Sequence, residues 1–531
     1  VTKPPNTKRR AILRASLASA MAAGSVWPFA ALVPPDALAQ PASANSGFVP
    51  DLIVELRAKR DTLRIWPGPT TRVWRYDGRV VAGDPSALSF VANGYAPILR
   101  VRRGQKIRIN FINELSEPTI IHWHGLTVPA ALDGHPRDAI GTGRRYVYEF
   151  EVRNRAGTYW FHAHPDGRTG AQVYYGQAGF LLVSDEEEAF GLPKGEHDMP
   201  LMIQDRRVDA DNQFVYLAQR AGGMMGRGMM GGGMSGMMER MMGFLGDRIL
   251  VNGQPDYVLP VATRAYRLRL LNGSNSRIYK FARRDGVPLT VIGTDGGLLG
   301  QPLKRPYVTL APAERVDLWI DFAGQPVGTD IALDSLPFDG DAAMGGMMGG
   351  LTLPMGAHFP IMKFRVARRE QAHDQLPPKF KPLPPIRAQD AINATQPRTF
   401  GITMGMMTWG INGRRFQMDG VTSSETVRAG TTEIWEFRND ESMMLMAHAM
   451  HVHNVQFRVL DRSVAADLAA ARATLSGGYV DEGWKDTVLV MPGERVRVLM
   501  HFGSYTGLFL YHCHMLEHED TGLMRNYLIR T

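Results

Sequence analysis

From about residue 50 onward the chain is dominated by short runs in which apolar and polar residues alternate. Ile107-Arg108-Ile109-Asn110-Phe111, Tyr266-Arg267-Leu268-Arg269-Leu270 and Val496-Arg497-Val498-Leu499-Met500 each show the two-residue period of a half-buried strand. Turn residues separate these runs, and amphipathic helical patterns are scarce, Val464–Leu475 being the best candidate. The pattern predicts an all-β chain of antiparallel sheets in Greek-key sandwiches. Two breaks divide it. Ser184–Pro200 is acidic with Pro and Gly, and Arg368–Ala391 holds Pro377, Pro378, Pro382, Pro384 and Pro385, a stiff extended linker. The expected units are 50–188, 196–370 and 395–531, with the linker at 371–394.

Composition adds bounds to this picture. At about 150 residues per domain, 531 residues suit three domains, and 44% hydrophobic with 21% charged residues excludes wholesale disorder. The single Cys excludes an intrachain disulfide framework and a Cys-based zinc ribbon. The formal charge of +8 hints at nucleic acid, but five basic residues against Asp36 sit in residues 1–39. That stretch has a twin-arginine pattern, Lys8-Arg9-Arg10-Ala11-Ile12-Leu13, and ends in Ala37-Leu38-Ala39, a cleavage-site pattern. A membrane anchor is the alternative, but Arg14 and Pro28 interrupt the apolar run. The reading is a signal peptide over 1–39, export by the twin-arginine machinery to the periplasm or otherwise out of the cell's interior, and a monomer with no membrane attachment after cleavage. The remainder, near +4 and without basic runs, gives no reason to expect a nucleic-acid partner.

Eight of the 15 His fall into four His-x-His pairs: His122/His124, His162/His164, His451/His453 and His512/His514. On a strand, residues i and i+2 share a face roughly 6.5–7 Å apart, so each pair offers two imidazoles to one side. One such pair would be an accident of a surface strand; four, two near each end of the chain, suit a shared metal cluster. Cys513 lies between His512 and His514 and points to the opposite face, toward a second site one backbone step away. His448 and His518 remain to complete it, and two His with one Cys is the blue-copper donor set. The bland alternative for Cys513 is a small buried hydrophobe.

These stretches resemble the multicopper oxidases, especially bacterial exported laccases and periplasmic cuprous oxidases. The matching residues are His122-Trp123-His124-Gly125, Trp160-Phe161-His162-Ala163-His164, His448-Ala449-Met450-His451-Val452-His453, and His512-Cys513-His514 running on to Gly522. Gly483-Trp484-Lys485-Asp486-Thr487-Val488 and Arg269-Leu270-Leu271-Asn272-Gly273 extend the likeness. The resemblance implies three cupredoxin domains and four copper ions. It implies a type 1 copper on His448, Cys513 and His518, and a type 2 copper on His122 and His451. It implies one type 3 copper on His124, His162 and His514, and its twin on His164, His453 and His512. Asp133 and Glu519 match acidic positions that deliver protons in the family; read alone, either could be a solvated surface carboxylate. Many bacterial members carry an axial Met ten residues after the blue-copper Cys. Here that position is Leu523, and a bulge would be needed to bring Met524 to the metal. Without the thioether, the potential of the type 1 site is expected to rise.

Gly222–Gly243 holds nine Met and nine Gly in 22 residues. Thioethers prefer Cu(I), and so many Gly argue against an ordinary core segment. Met237-Met238-Glu239-Arg240-Met241-Met242 can form a helical turn or two with its four Met on one face, as a Cu(I)-collecting or substrate-gating element. A flexible insertion without function is the alternative. The reading is an O2-reducing oxidase that takes electrons from Cu(I), phenols or aromatic amines, with a role in copper tolerance. A general laccase is the runner-up, and a copper-binding resistance protein without turnover comes last. His135, His197, His358, His373 and His501 have no such context and are expected to be structural or exposed.

Overall fold

The structure, a computed structural model, describes residues 47–189, 191–217, 231–339, 353–372, 374–405, 408–440 and 446–531. The proposed signal peptide, His373, the first part of the Met/Gly-rich segment and much of the smaller Met clusters lie outside the described residues.

Among the described residues, six sheets come in three pairs along the chain. The first pair draws on strands between Leu52 and Ser184, the second on strands between Asp198 and Arg368, and the third on strands between Arg398 and Arg530. Strand alternation explains the packing. Along Lys106–Asn113, Ile107, Ile109, Phe111 and Asn113 point inward while the residues between them are partly or fully exposed, and Leu52, Val54, Leu56 and Ala58 meet them from the neighbouring strand. Each pair of sheets encloses its own apolar core.

Three expectations are corrected. The sheets are mixed rather than antiparallel: Leu52–Leu63 runs parallel to Lys106–Asn113, and parallel pairings recur in all three sheet pairs. A strand that returns after its chain has crossed to the opposite sheet can re-enter in the same direction. Nor is Tyr266–Leu270 half-buried; the whole strand Ala265–Asn272 is covered on both faces. Its alternating Arg residues are satisfied by ion pairs, Arg267 to Asp317 and Arg269 to Asp198. The helix expected at Val464–Leu475 starts later. Val464 closes a strand, a 3-10 turn covers Ala466–Leu468, and the α-helix is Ala469–Ser476. No helix among the described residues is long and apolar enough to cross a membrane.

Candidate metal centres

The His-x-His pairs sit where strands end. His122 closes the strand Ile121–His122, and His162 lies opposite it on Gly157–Ala163. The third sheet pair repeats the arrangement, with His451 on His448–Val452 opposite His512 on Gly507–Cys513. In each case the second His of the pair lies just past its strand, still on the same side. Two registered strand pairs therefore present four imidazoles each, and the two sets interleave. The rings of His122 and His453 stack at 3.7 Å, as do those of His124 and His451. All eight are buried.

Burial, reinforced by neighbouring imidazoles, pushes His122, His451, His453 and His514 well below the usual histidine range. Burial likewise dominates at His124, with His451 and Arg315 adding to it, and it brings His162 to about 3 and His164 to about 4. These neutral rings are prepared as ligands.

Their tautomers show what they await. His122 Nδ1 donates to the Asp133 carbonyl at 2.7 Å, and His451 Nδ1 donates to the Asp486 carbonyl at 2.7 Å. A carbonyl only accepts, so each Nδ1 carries the ring proton and each Nε2 has a bare lone pair. Those two Nε2 atoms face each other at 3.4 Å. Lone pairs so placed repel in a buried site, and a bound cation converts the repulsion into attraction. Close Nε2–Nε2 approaches also join His162 to His514 at 3.2 Å, His453 to His512 at 3.0 Å and His164 to His512 at 3.4 Å. His164, His453 and His512 thus converge as one donor set, and so do His122, His451 and His453. The donors fit copper, for which imidazole is a preferred ligand.

On the other face of Gly507–Cys513, the Cys513 Sγ lies 3.5 Å from His448 Nδ1 and 3.8 Å from His518 Nδ1, and those two nitrogens are 3.2 Å apart. Burial pushes the Cys513 thiol up to about 12, so only a bound cation would make it a thiolate here. His512 pairs with Met524 in an unbroken register, and the Cys513 amide donates to the Leu523 carbonyl. Opposed residues share a face, so Leu523 is on the Cys513 side and Met524 on the His512 side. No bulge intervenes.

Asp133 and Glu519 are buried rather than solvated. Asp133 Oδ2 lies 2.7 Å from His453 Nδ1, and burial aided by Asp138 pushes its carboxyl up. Glu519 Oε2 lies 3.0 Å from His512 Nδ1; burial pushes its carboxyl up, but His164 and His512 outweigh that and bring it down to about 2.

The Met-rich segment reaches the second centre. Its helix Gly231–Met242 packs on Leu516–Asp520, which carries His518. Met241 and Met242 are buried, Met238 is partly buried and Met237 is exposed, so the four Met do not share one environment as expected. The last turn dips into the core while the turn before it stays nearer solvent.

Sequence reading missed several residues. Trp409 packs against His448 at 4.7 Å and His518 at 4.9 Å, and its Nε1 donates to the Met241 carbonyl at 2.9 Å. Glu517 accepts from Tyr216 and from the Phe244 amide, which bracket the Met/Gly-rich segment, and from Asn275 and Ser276. Asp486, inside a quoted motif, touches both His124 and His451. The signal available for Glu517 and Asp486 was a carboxylate inside a quoted motif; Trp409 carried none. Four of the remaining His are tied elsewhere: His135 to Asn526, His197 to Glu370, His358 to Asp334 and His501 to Thr432.

Residues 76–188 and 391–531 each match a family model described as multicopper oxidase. A laccase of Bacillus stratosphericus is 32% identical over 500 residues, spanning 86% of this chain and 90% of the relative. The McoA multicopper oxidase of the hyperthermophile Aquifex aeolicus is 34% identical with a TM-score of 0.74, covering 91% of this chain and 97% of that one. A multicopper oxidase from Campylobacter jejuni, described as a metallo-oxidase, has a TM-score of 0.69 at 25% identity, covering 93% and 94%.

Proposed function

The chain belongs to the multicopper oxidase family and is a copper oxidoreductase, and from that premise we propose that it oxidises Cu(I) in a copper-tolerance role, using four resident coppers. His448, Cys513 and His518 would hold the type 1 ion, and His122 with His451 the type 2 ion. His124, His162 and His514 would hold one type 3 ion, and His164, His453 and His512 the other. Bound there, copper supplies one-electron oxidation of substrate and four-electron reduction of O2 to water.

The protein's part is placement and proton handling. Cys513 joins the two sites through single peptide steps to His512 and His514. Asp133, its carboxyl pushed up, can hold a proton beside His453 Nδ1, and Glu519 Oε2, ionised beside His512 Nδ1, can accept one and pass it on. The observation that carries the Cu(I) reading is the Met-rich helix seated on Trp409 and on the helix of His518. It brings soft thioethers to the electron-entry side. The relative described as a metallo-oxidase agrees with this reading, and the laccase relative supports phenol or aromatic amine oxidation as the second reading. The twin-arginine pattern supports export to the periplasm.

The test is O2 uptake by the copper-loaded protein with Cu(I) and, separately, with a dimethoxyphenol, before and after deletion of 222–243. Loss of Cu(I) turnover with phenol turnover kept or raised is the expected result. Unchanged rates with both substrates would make the protein a general laccase.

A further inference from the structure

Neither Cys513 nor any of the ten His grouped above lies in the second pair of sheets, yet one of its side chains is built into their support. Arg315 opens the strand Arg315–Asp321 and is buried. Its guanidinium has five N–H donors, and all five are used. Nε donates to the Thr158 carbonyl at 2.9 Å, on the strand that carries His162. Nη1 donates to the Ala313 carbonyl at 3.0 Å and Nη2 to the Asp295 carbonyl at 3.1 Å. The two remaining donors form a fork on Asp486, at 2.7 Å to Oδ1 and 2.6 Å to Oδ2.

Asp486 passes this constraint to two imidazoles. Its carbonyl accepts from His451 Nδ1, and its Oδ1 lies 3.0 Å from His124 Nε2. His124 is therefore unlike its neighbours. Its ε nitrogen is engaged, by the Asp486 carboxylate and at 3.2 Å by the Thr487 hydroxyl, while its Nδ1, like those of His164 and His514, is buried with no hydrogen-bond partner among the described residues. Gly125 shows how tightly the turn after His124 is pressed onto the ion pair. Its φ is +87°, and a Cβ there would lie 2.4 Å from Asp486 Oδ2 and 2.9 Å from Arg315 Nη2.

We propose that Arg315 is a positioning residue that, by clamping Asp486 as an acceptor, fixes the proton of His124 on Nε2 and so decides that Nδ1 is the nitrogen offered to the cluster. The second pair of sheets thereby controls a centre to which it gives no ligand. The inference rests on the four-copper reading above.

The test uses the full-length, copper-loaded protein and the variants Arg315→Met and Asp486→Asn. The second is isosteric and can turn an amide N–H toward His124, reversing the tautomer. Copper affinity is measured by chelator competition, the type 1 site by its blue visible band, the type 3 pair by its near-ultraviolet band and the type 2 ion by electron paramagnetic resonance. The expected result is a retained blue band, a lost near-ultraviolet band and affinity of the cluster lowered by about 10–100-fold in both variants. Arg315→Lys is expected not to rescue, because an ammonium cannot reproduce the fork. Wild-type affinity and both bands in both variants would overturn the proposal. So would loss of the blue band in step with the near-ultraviolet band in both, which signals a general structural role. If Arg315→Met does not fold, Asp486→Asn decides by the same criteria. A wild-type protein without a blue band overturns the four-copper reading itself, and this inference with it.

Discussion

At the scale of single residues, register does work that composition cannot. Leu523 and Met524 are adjacent in sequence, but the unbroken pairing of His512 with Met524 assigns them to different centres. Leu523→Met is expected to add a weak soft donor and lower the type 1 potential, read by redox titration of the blue band. Met524→Leu is expected to leave that potential unchanged and to cost less than about 1.5 kcal/mol, because it conserves volume in a buried position. The reverse pattern would mean that Met524 is the axial neighbour. Cys513→Ser is expected to abolish the blue band and retain a type 2 resonance, since the eight paired imidazoles belong to the opposite face.

At the scale of elements, much of the site was legible because strands alternate strictly. The spacing of two told which imidazoles share a side and that Cys513 does not, and the structure places them so. What sequence hid was the partner of each strand. The register that sets His122 opposite His162 and His451 opposite His512 is a long-range property, as is the return of strands in parallel. Periodicity likewise read Arg267 and Arg269 as facing solvent, because an alternating strand covered on both sides looks like a half-exposed one until its carboxylate partners are known. The Met-rich helix was visible, but its seat against Trp409 and the His518 helix was not.

One such hidden tie gives a pH prediction. Glu425, just before the strand Thr426–Arg428, accepts a fork from Arg525 on Met524–Arg530, both bonds at 2.7 Å, and the Tyr511 hydroxyl from Gly507–Cys513 at 2.9 Å. Burial pushes its carboxyl up, but Arg525, Thr422 and Tyr511 outweigh that and hold it below the usual glutamate range. A carboxylate whose folded pKa is lowered stabilises the fold above its unfolded pKa and loses that contribution as pH falls through the folded value. Glu425→Gln is therefore expected to cost about 3 kcal/mol at neutral pH in denaturant unfolding. The deficit should shrink as pH drops below about 4. A deficit independent of pH would show that shape rather than charge is responsible.

At the scale of the whole molecule, the sheet pairs are joined by buried charge as well as by apolar contact. Arg267 and Arg269, on Ala265–Asn272, share Glu188 from the preceding segment, and Thr158 of the first sheet pair donates to Asp317. Asp317→Ala would leave Arg267 buried with a lost partner and is expected to cost about 3–5 kcal/mol. Copper should stabilise the same framework from within. A ligand that binds only the folded state at 100 times its Kd adds about 2.7 kcal/mol per site. Chelation is therefore expected to lower Tm, and readdition of copper to restore it, measured by calorimetry.

The interleaving of imidazoles from the two ends of the chain also sets a timetable. A ribosome releases His122, His124, His162 and His164 more than 280 residues before His451 emerges. Until Gly507–Cys513 has paired with His448–Val452, the chain presents only half-sets of these donors. A chain cut short anywhere before His512 therefore lacks the donors that complete these sets, however well its earlier sheets have formed.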